Sequence, residues 1–373
     1  MSRPAVAVFT DTYLPTVNGV TYTVQAWRDR WVDRGGRMDV VYPDSDHVPG
    51  DGEYPVRSLP FPFYEGFRAG LPTVPPGATG VDVVHAHTPF SLGIGAVRLA
   101  RREGVPLVAA YHTPTAEYAD YVADGWLGAV VETAATTWER WYLNRVDVVV
   151  VPSDPARNRL RDGGVTANVE VVPNGVDTDF FTPDADAAAA FRDRHALPEE
   201  RPLVGYTGRH GYEKQLPDLL YAADGLDVTV VFGGDGPARD DLEHLATTVD
   251  VDVRFLGFLD REDLPGFYAS LDVFGFPSPV ETQGLVALEA IACGTPVAGV
   301  DAGALSDTID EGETGYTATA GDPEDFRATI ERTLADRTEL REACLARRAD
   351  IGVETAVDRL ERVYGGLLED PPD

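Results

Sequence analysis

Residues 279–294, PVETQGLVALEAIACG, constrain the fold more than any other part of the chain. The run ahead of them, 271–278, reads as a buried strand entering a loop. After Gly284 the apolar residues Leu285, Leu288 and Ala292 recur at helical spacing, and Gly294-Thr295-Pro296 stops the helix. Residues 296–300 are again a short apolar strand. The unit is therefore strand–loop–helix–strand, with Glu281 in the loop and Glu289 about one turn into the helix. The first N–H groups of such a helix are unpaired and carry partial positive charge, which suits phosphate or sugar oxygens. A carboxylate on each side can accept from hydroxyls, so the unit fits a sugar joined to a phosphate. Acidic residues also gather near helix starts because they complement the dipole, and spacing alone leaves both explanations open.

A chain of 373 residues with 43% hydrophobic content has room for two domains with real cores. Its net charge is −31, from 62 acidic against 31 basic residues. That balance argues against non-specific nucleic-acid binding. It matches a solvated surface adapted to high salt, and a halophilic source is expected. Isolated acidic pairs therefore carry little information. Lys214 is the only lysine, against 30 arginines. Cys293 and Cys344 make no disulfide framework, so a reducing compartment fits. No signal peptide opens the chain and no apolar run has the length of a membrane span. The expected location is cytoplasmic, with contact at the inner face of the cell membrane left open.

Residues 5–10 form a short buried strand, followed by a loop over 11–20, a helix to about 33, and a strand over 38–42. This is the doubly wound pattern, with ligands at the C-terminal strand ends. Asn18-Gly19 permits a positive φ and close backbone approach, or serves as an ordinary turn. Residues 44–80 read as a long, mostly irregular loop with Phe61, Phe63, Tyr64 and Phe67 inside it. These aromatics either serve an acceptor or membrane edge, or pack on the domain. His85-x-His87 follows a strand; the pair could suggest a metal, but no further ligand cluster accompanies it. On the helix over 92–103, Arg98, Arg101 and Arg102 share a face, for anionic lipid or for neighbouring carboxylates. A strand over 106–112 ends in His112, which could meet a ligand or simply pack. Pro152-Ser153-Asp154 caps a short helix, and a strand over 168–176 ends the first half.

The second half restarts with a strand ending at Gly208-Arg209, followed by Glu213-Lys214 and a helix. Two cations just past a strand end can clamp a diphosphate whose charge grows as a bond to it breaks. A chain that has shed every other lysine keeps one here, which argues for a positional need. The strand over 228–233 enters the glycine loop 233–237, but G-x-G-x-x-G is not met, which disfavours a dehydrogenase. From 323 the chain is helical, and the acidic tail 369–373 is expected to fray.

Taken together, these strings resemble the retaining glycosyltransferases of family 4, which have the GT-B fold. Glu281-x7-Glu289 matches the family signature, and Gly208-Arg209-x4-Lys214 its donor-diphosphate motif. The loop 234–237 is similar to its Gly-Asp-Gly-Pro loop, and the loop ending Asn18-Gly19 to its N-terminal loop. The string 87–93, with Tyr111-His112-Thr113 and Tyr118-x-x-Tyr121, is similar to a narrower group that adds hexose to diacylglycerol. Thr282-Gln283 departs from many members; Glu-Thr-Gln-Gly is common among lipid-directed ones. The resemblance covers nearly the whole chain and implies an α/β architecture of two Rossmann-like doubly wound domains facing across a cleft. Their expected extents are 1–176 with a crossing helix over about 354–373, and 177–353.

The implied activity is retaining transfer of a hexose from a nucleotide sugar, of UDP-glucose or GDP-mannose type, to a hydroxyl of a lipid or glycan. A membrane glycerolipid is one candidate acceptor. In this reading Glu281, Arg209, Lys214 and His112 are catalytic, and Glu289 binds ribose hydroxyls. Gly19, Gly208, Gly234, Asp235, Gln283, Gly284 and Leu285 border the donor; Phe255 to Phe258 abut its base edge; Asp11 is an acceptor contact. No metal or other cofactor is expected. The alternatives are transfer to a soluble or polyprenol-linked glycan, a GT-B sugar-nucleotide epimerase, and a non-catalytic nucleotide-sugar-binding protein.

Overall fold

The structure is a computed structural model that describes residues 3–16, 18–60, 68–112 and 125–369, without the side chains of 125–127 and 129. The expectations for Phe61, Phe63, Tyr64, Phe67, Thr113, Tyr118, Tyr121 and 370–373 fall outside the described residues.

Two parallel sheets organise the chain. The first contains β1 (Ala5–Phe9), β2 (Arg37–Pro43) and β3 (Glu53–Val56); a separate antiparallel hairpin of β4 (Ser58–Pro60) and β5 (Arg68–Gly70) follows. The sheet resumes with β6 (Val83–Ala86), β7 (Leu107–Ala110), β8 (Val148–Val151) and β9 (Asn168–Val171), in the order β3-β2-β1-β6-β7-β8-β9. The second sheet contains β10 (Leu203–Thr207), β11 (Thr229–Gly233), β12 (Asp252–Gly257), β13 (Val273–Phe276), β14 (Val297–Val300) and β15 (Gly315–Ala318), ordered β12-β11-β10-β13-β14-β15. Strands such as β8, four consecutive buried valines, are apolar throughout because helices cover both faces of such sheets.

The described residues of 44–80 carry more regular structure than their composition suggests. They supply β3, which pairs in parallel with β2 as Val41↔Tyr54 and Tyr42↔Pro55, and the β4–β5 hairpin. β3 is a short edge strand, where a proline such as Pro55 can turn its nitrogen away from the ladder. It therefore shows neither alternation nor an apolar run to a reader of the sequence.

The chain divides into two compact units, Met1–Asn174 with Val353–Asp373, and Gly175–Gly352. In the first unit, helix α1 (Gly19–Asp33) packs against the C-terminal helix Val353–Glu369. The Trp31 and Tyr364 rings meet edge to face at 5.4 Å, and Arg30 Nε lies 2.8 Å from Glu354 Oε1. The Tyr364 hydroxyl is 2.7 Å from His85 Nδ1, both fully buried. A Tyr364→Phe variant leaves that nitrogen without a partner. We expect it to lower unfolding free energy by about 1–3 kcal/mol, read from urea midpoints.

On helix α2 (Ser91–Glu103), Arg98 donates to the Pro72 carbonyl at 2.9 Å and Arg102 lies 3.1 Å from a Glu103 oxygen. These two arginines of the basic face are thus engaged within the chain.

Candidate active site in the second unit

The loop between β13 and the helix Leu285–Ala292 is built for close approach to a ligand. Gly284 sits at φ +75°, and a Cβ there would come within 2.9 Å of the Leu305 side chain. It is the N-cap residue and offers no side-chain cap, so first-turn N–H groups stay available. The loop is tied down by Ala304 N–H, which donates to the Glu281 carbonyl at 3.1 Å, and by Thr308 Oγ1, which donates to the Gln283 carbonyl.

Glu281 and Lys214 come together directly. Lys214 Nζ and Ser278 Oγ each donate to Glu281 Oε1 at 2.8 Å. The side chains of Lys214 and Glu281 are 19% and 16% exposed, enough for a ligand to reach them. Lys214 ends a short 3-10 turn, Tyr212–Lys214, just past β10. Arg209 shares this electrostatic neighbourhood. The buried Tyr206 hydroxyl donates to the Arg209 carbonyl at 3.2 Å, and its pKa rises through burial and through the charges of Glu281 and Glu213, opposed by Arg209.

Glu289 sits on the helix Leu285–Ala292 that starts at this loop. Its Oε2 accepts from the Tyr268 hydroxyl at 2.6 Å, and burial pushes its pKa up to about 7. A part of the residue stays accessible. Gly208 and Gly234 mark the ends of β10 and β11, where the two backbones nearly touch: a Cβ on Gly234, at φ +103°, would lie 2.0 Å from the Gly208 carbonyl oxygen. Asp235 closes the turn by accepting from Gly236 N–H at 2.7 Å. Phe255 stacks on Phe232 at 5.2 Å, whereas Phe258 is 66% exposed. The arrangement offers one ammonium, one guanidinium, two carboxyls and a helix start within a single unit.

The first-unit residues are held by contacts within the chain. Asn18 is the N-cap of α1 at φ −157°, with its side chain accepting from Thr21 N–H at 2.9 Å, and Gly19 is the first helical residue. Neither uses the positive φ that the dipeptide permits, because the asparagine amide satisfies the helix start. Asp11 is buried and turned onto the start of α2. It accepts from Ser91 Oγ at 3.0 Å, from Leu92 N–H at 3.3 Å and from Thr88 Oγ1. Both oxygens are thereby engaged, and burial raises its pKa.

His112 Nε2 is 2.8 Å from His87 Nδ1, with the rings stacked at 5.0 Å, and its side chain also bonds Asn174. Burial lowers the His112 pKa to about 4 and that of His85 to about 3, so these rings are neutral. Among the described residues no group of histidine, cysteine and acidic side chains is arranged to hold a metal.

Sequence reasoning missed Tyr206, Tyr268 and Ser278 around the carboxyls; only Ser278, three residues before Glu281, had a local signal. It also missed an open apolar groove of about 840 Å³ on helix α3 (Gly125–Leu143), lined by Val130, Thr133, Ala134, Thr137, Trp138 and Trp141. The two tryptophans stack at 4.9 Å, and Trp141 is 46% exposed. No helix among the described residues is long and apolar enough to cross a membrane.

Comparison with known proteins covers both halves. Residues 17–180 match the model of glycosyltransferase family 4, and residues 188–348 that of glycosyl transferases group 1. A sulfoquinovosyl transferase of Arabidopsis thaliana is 35% identical across 75% of this chain, which spans 56% of that protein. A GDP-mannose-dependent α-mannosyltransferase of Mycolicibacterium smegmatis is 32% identical across 96% of this chain and 98% of its own length. An α-monoglucosyldiacylglycerol synthase of Streptococcus pneumoniae is 29% identical across 78% of this chain and 70% of its own. Among solved structures, sucrose-phosphate synthase from Thermosynechococcus elongatus aligns with a TM-score of 0.78 at 22% identity, covering 98% of this chain and 99% of that one, a likeness of fold.

Proposed function

The chain belongs to the family 4 glycosyltransferases of the GT-B fold, and from that premise we propose that it moves a hexose from a nucleotide sugar to an acceptor hydroxyl with retention at the anomeric carbon. One observation carries the reading: the lone lysine and the loop glutamate meet at 2.8 Å beside an uncapped helix start.

In this proposal the donor diphosphate takes Lys214 from Glu281. Lys214, Arg209 and the first-turn N–H groups of Leu285–Ala292 then hold the leaving diphosphate as its negative charge grows. Glu281 accepts from the hexose hydroxyls, and Glu289 from the ribose. The bond from the anomeric carbon to the phosphate oxygen breaks. The acceptor oxygen bonds to the same face, and its proton passes to the departing phosphate oxygen.

Relatives named for GDP-mannose and for glucosyl-diacylglycerol suggest a donor of GDP-mannose or UDP-glucose type and a glycerolipid acceptor. The exposed tryptophan face of α3 supports a membrane surface as partner, since indole rings favour the lipid–water boundary.

The test measures nucleotide released from UDP-glucose and from GDP-mannose, with and without vesicles containing diacylglycerol, and the anomeric configuration of the product by NMR. Release in one donor arm, stimulated by acceptor and giving an α-linked product, is expected. No release in any arm, or an inverted product, overturns the reading.

A further inference from the structure

At the C-terminal ends of β1 and β2 the first unit holds a cavity of about 190 Å³, whose lining includes Asp11, Tyr13, Thr16, Ser45, Asp46 and Arg68. Its walls are fixed. Ser45 Oγ donates to the Leu14 carbonyl at 2.8 Å, and two residues on, His47 Nε2 lies 2.8 Å from Glu53 Oε2. Glu53 on β3, whose side chain is only 7% exposed, also accepts from the Tyr13 hydroxyl at 2.8 Å and from Gly50 N–H at 2.9 Å, with Arg28 Nη1 at 3.4 Å. One buried carboxylate thus holds both the tyrosine in the wall and the loop that carries Ser45 and Asp46. Across the cavity, Arg68 on β5 is steadied by Ser58 Oγ at 2.7 Å and by an Asp44 oxygen at 3.4 Å. Asp46 is exposed.

We propose that this cavity takes the neutral, hydroxyl-bearing head of the acceptor, a glycerol or a single hexose, with Asp46 accepting from one hydroxyl and Arg68 donating to another. The inference rests on the glycosyl-transfer reading and names the acceptor class for it. Three features select this ligand. Ligands of doubly wound sheets lie at the C-terminal strand ends, where this cavity is. Its volume is below the roughly 300–1,000 Å³ of sites for drug-sized ligands, so it suits one small polyol. Its charge is mixed. Asp46 in its lining, and Asp44 where it meets Arg68, oppose a phosphate, and Arg68 opposes a cation, while hydroxyls can donate to the carboxylate on one wall and accept from the guanidinium on the other.

The test needs neither donor nor turnover. Saturation-transfer NMR with glycerol and with methyl α-glucoside as probes should show binding to the full chain. That binding should weaken at least tenfold in Asp46→Ala and in Arg68→Ala, each of which removes a charge-assisted hydrogen bond. Glycerol 3-phosphate should bind more weakly than glycerol. Variants that bind like the wild type, or a preference for the phosphorylated probe, overturn the proposal. Two transfer arms, diacylglycerol in phosphatidylcholine vesicles and free methyl α-glucoside, separate a lipid head from a soluble polyol. In the active arm both variants should raise acceptor KM about tenfold while donor KM stays within twofold. Probe binding that depends on Asp46 and Arg68, with no donor turned over, supports the site and overturns the transfer reading instead.

Discussion

Lys214→Ala is expected to lower kcat by about 10²–10³-fold, the usual effect of deleting one group that stabilises developing charge. Glu281→Ala should fall as far, because the same hydrogen-bonded pair loses its other member. Stability separates the functional loss from a structural one. Each single variant leaves a partner about four-fifths covered without its counter-charge, whereas the double variant removes both charges. The double variant should therefore unfold at a higher urea midpoint than the worse single variant while remaining inactive. Lys214→Arg should keep part of the activity, since charge is retained but a planar fork replaces a compact ammonium. Single-turnover nucleotide release is the measurement. Wild-type rates in Lys214→Ala or Glu281→Ala would refute the assignment.

The second large effect concerns Glu289, whose pKa in the folded chain is about 7 because burial disfavours its charge. The unfolded value is that of an ordinary glutamate, near 4.5. Between these two values the folded chain holds the proton more tightly. The resulting stability is full below about pH 4.5 and is lost as pH rises through 7. Glu289→Gln, neutral at every pH, should match the wild type near pH 4.5 and exceed it by up to about 3 kcal/mol at pH 8. Urea midpoints at the two pH values test this; a variant equal to wild type at pH 8 would remove burial as the cause. The same substitution should raise donor KM about tenfold if the carboxylate accepts from ribose hydroxyls.

Much of this architecture could be read from residue order. Apolar runs such as β8 and the strand–loop–helix–strand unit at β13 announce themselves through local spacing, and the helix Leu285–Ala292 is marked by Gly284 at its start and Gly294 just past its end. The unreadable parts depend on distance along the chain. Lys214 and Glu281 are 67 residues apart, and nothing local says that they bond to each other rather than separately to a ligand. Asp11, expected as an acceptor contact, lines the first-unit cavity, and its bonds to Ser91 and Leu92, some 80 residues on, are a tertiary event that no local spacing announces. Tyr268 and Tyr206 carry no local signal, and only folding turns their hydroxyls toward Glu289 and the Arg209 backbone. β3 escaped notice because an edge strand with one buried residue in four has no periodicity to detect.

The return of the C-terminal helix to α1 has a consequence for biosynthesis. Val353, Val357, Leu360 and Tyr364 complete the same apolar cluster as Trp27 and Trp31, yet Gly175–Gly352 must be made in between. At about 5–20 residues per second, the ribosome leaves that cluster open for roughly ten to forty seconds. The inserted unit can fold while its host waits, so a premature stop before Val353 would spare the inserted half and leave two tryptophans of the host for chaperones to cover.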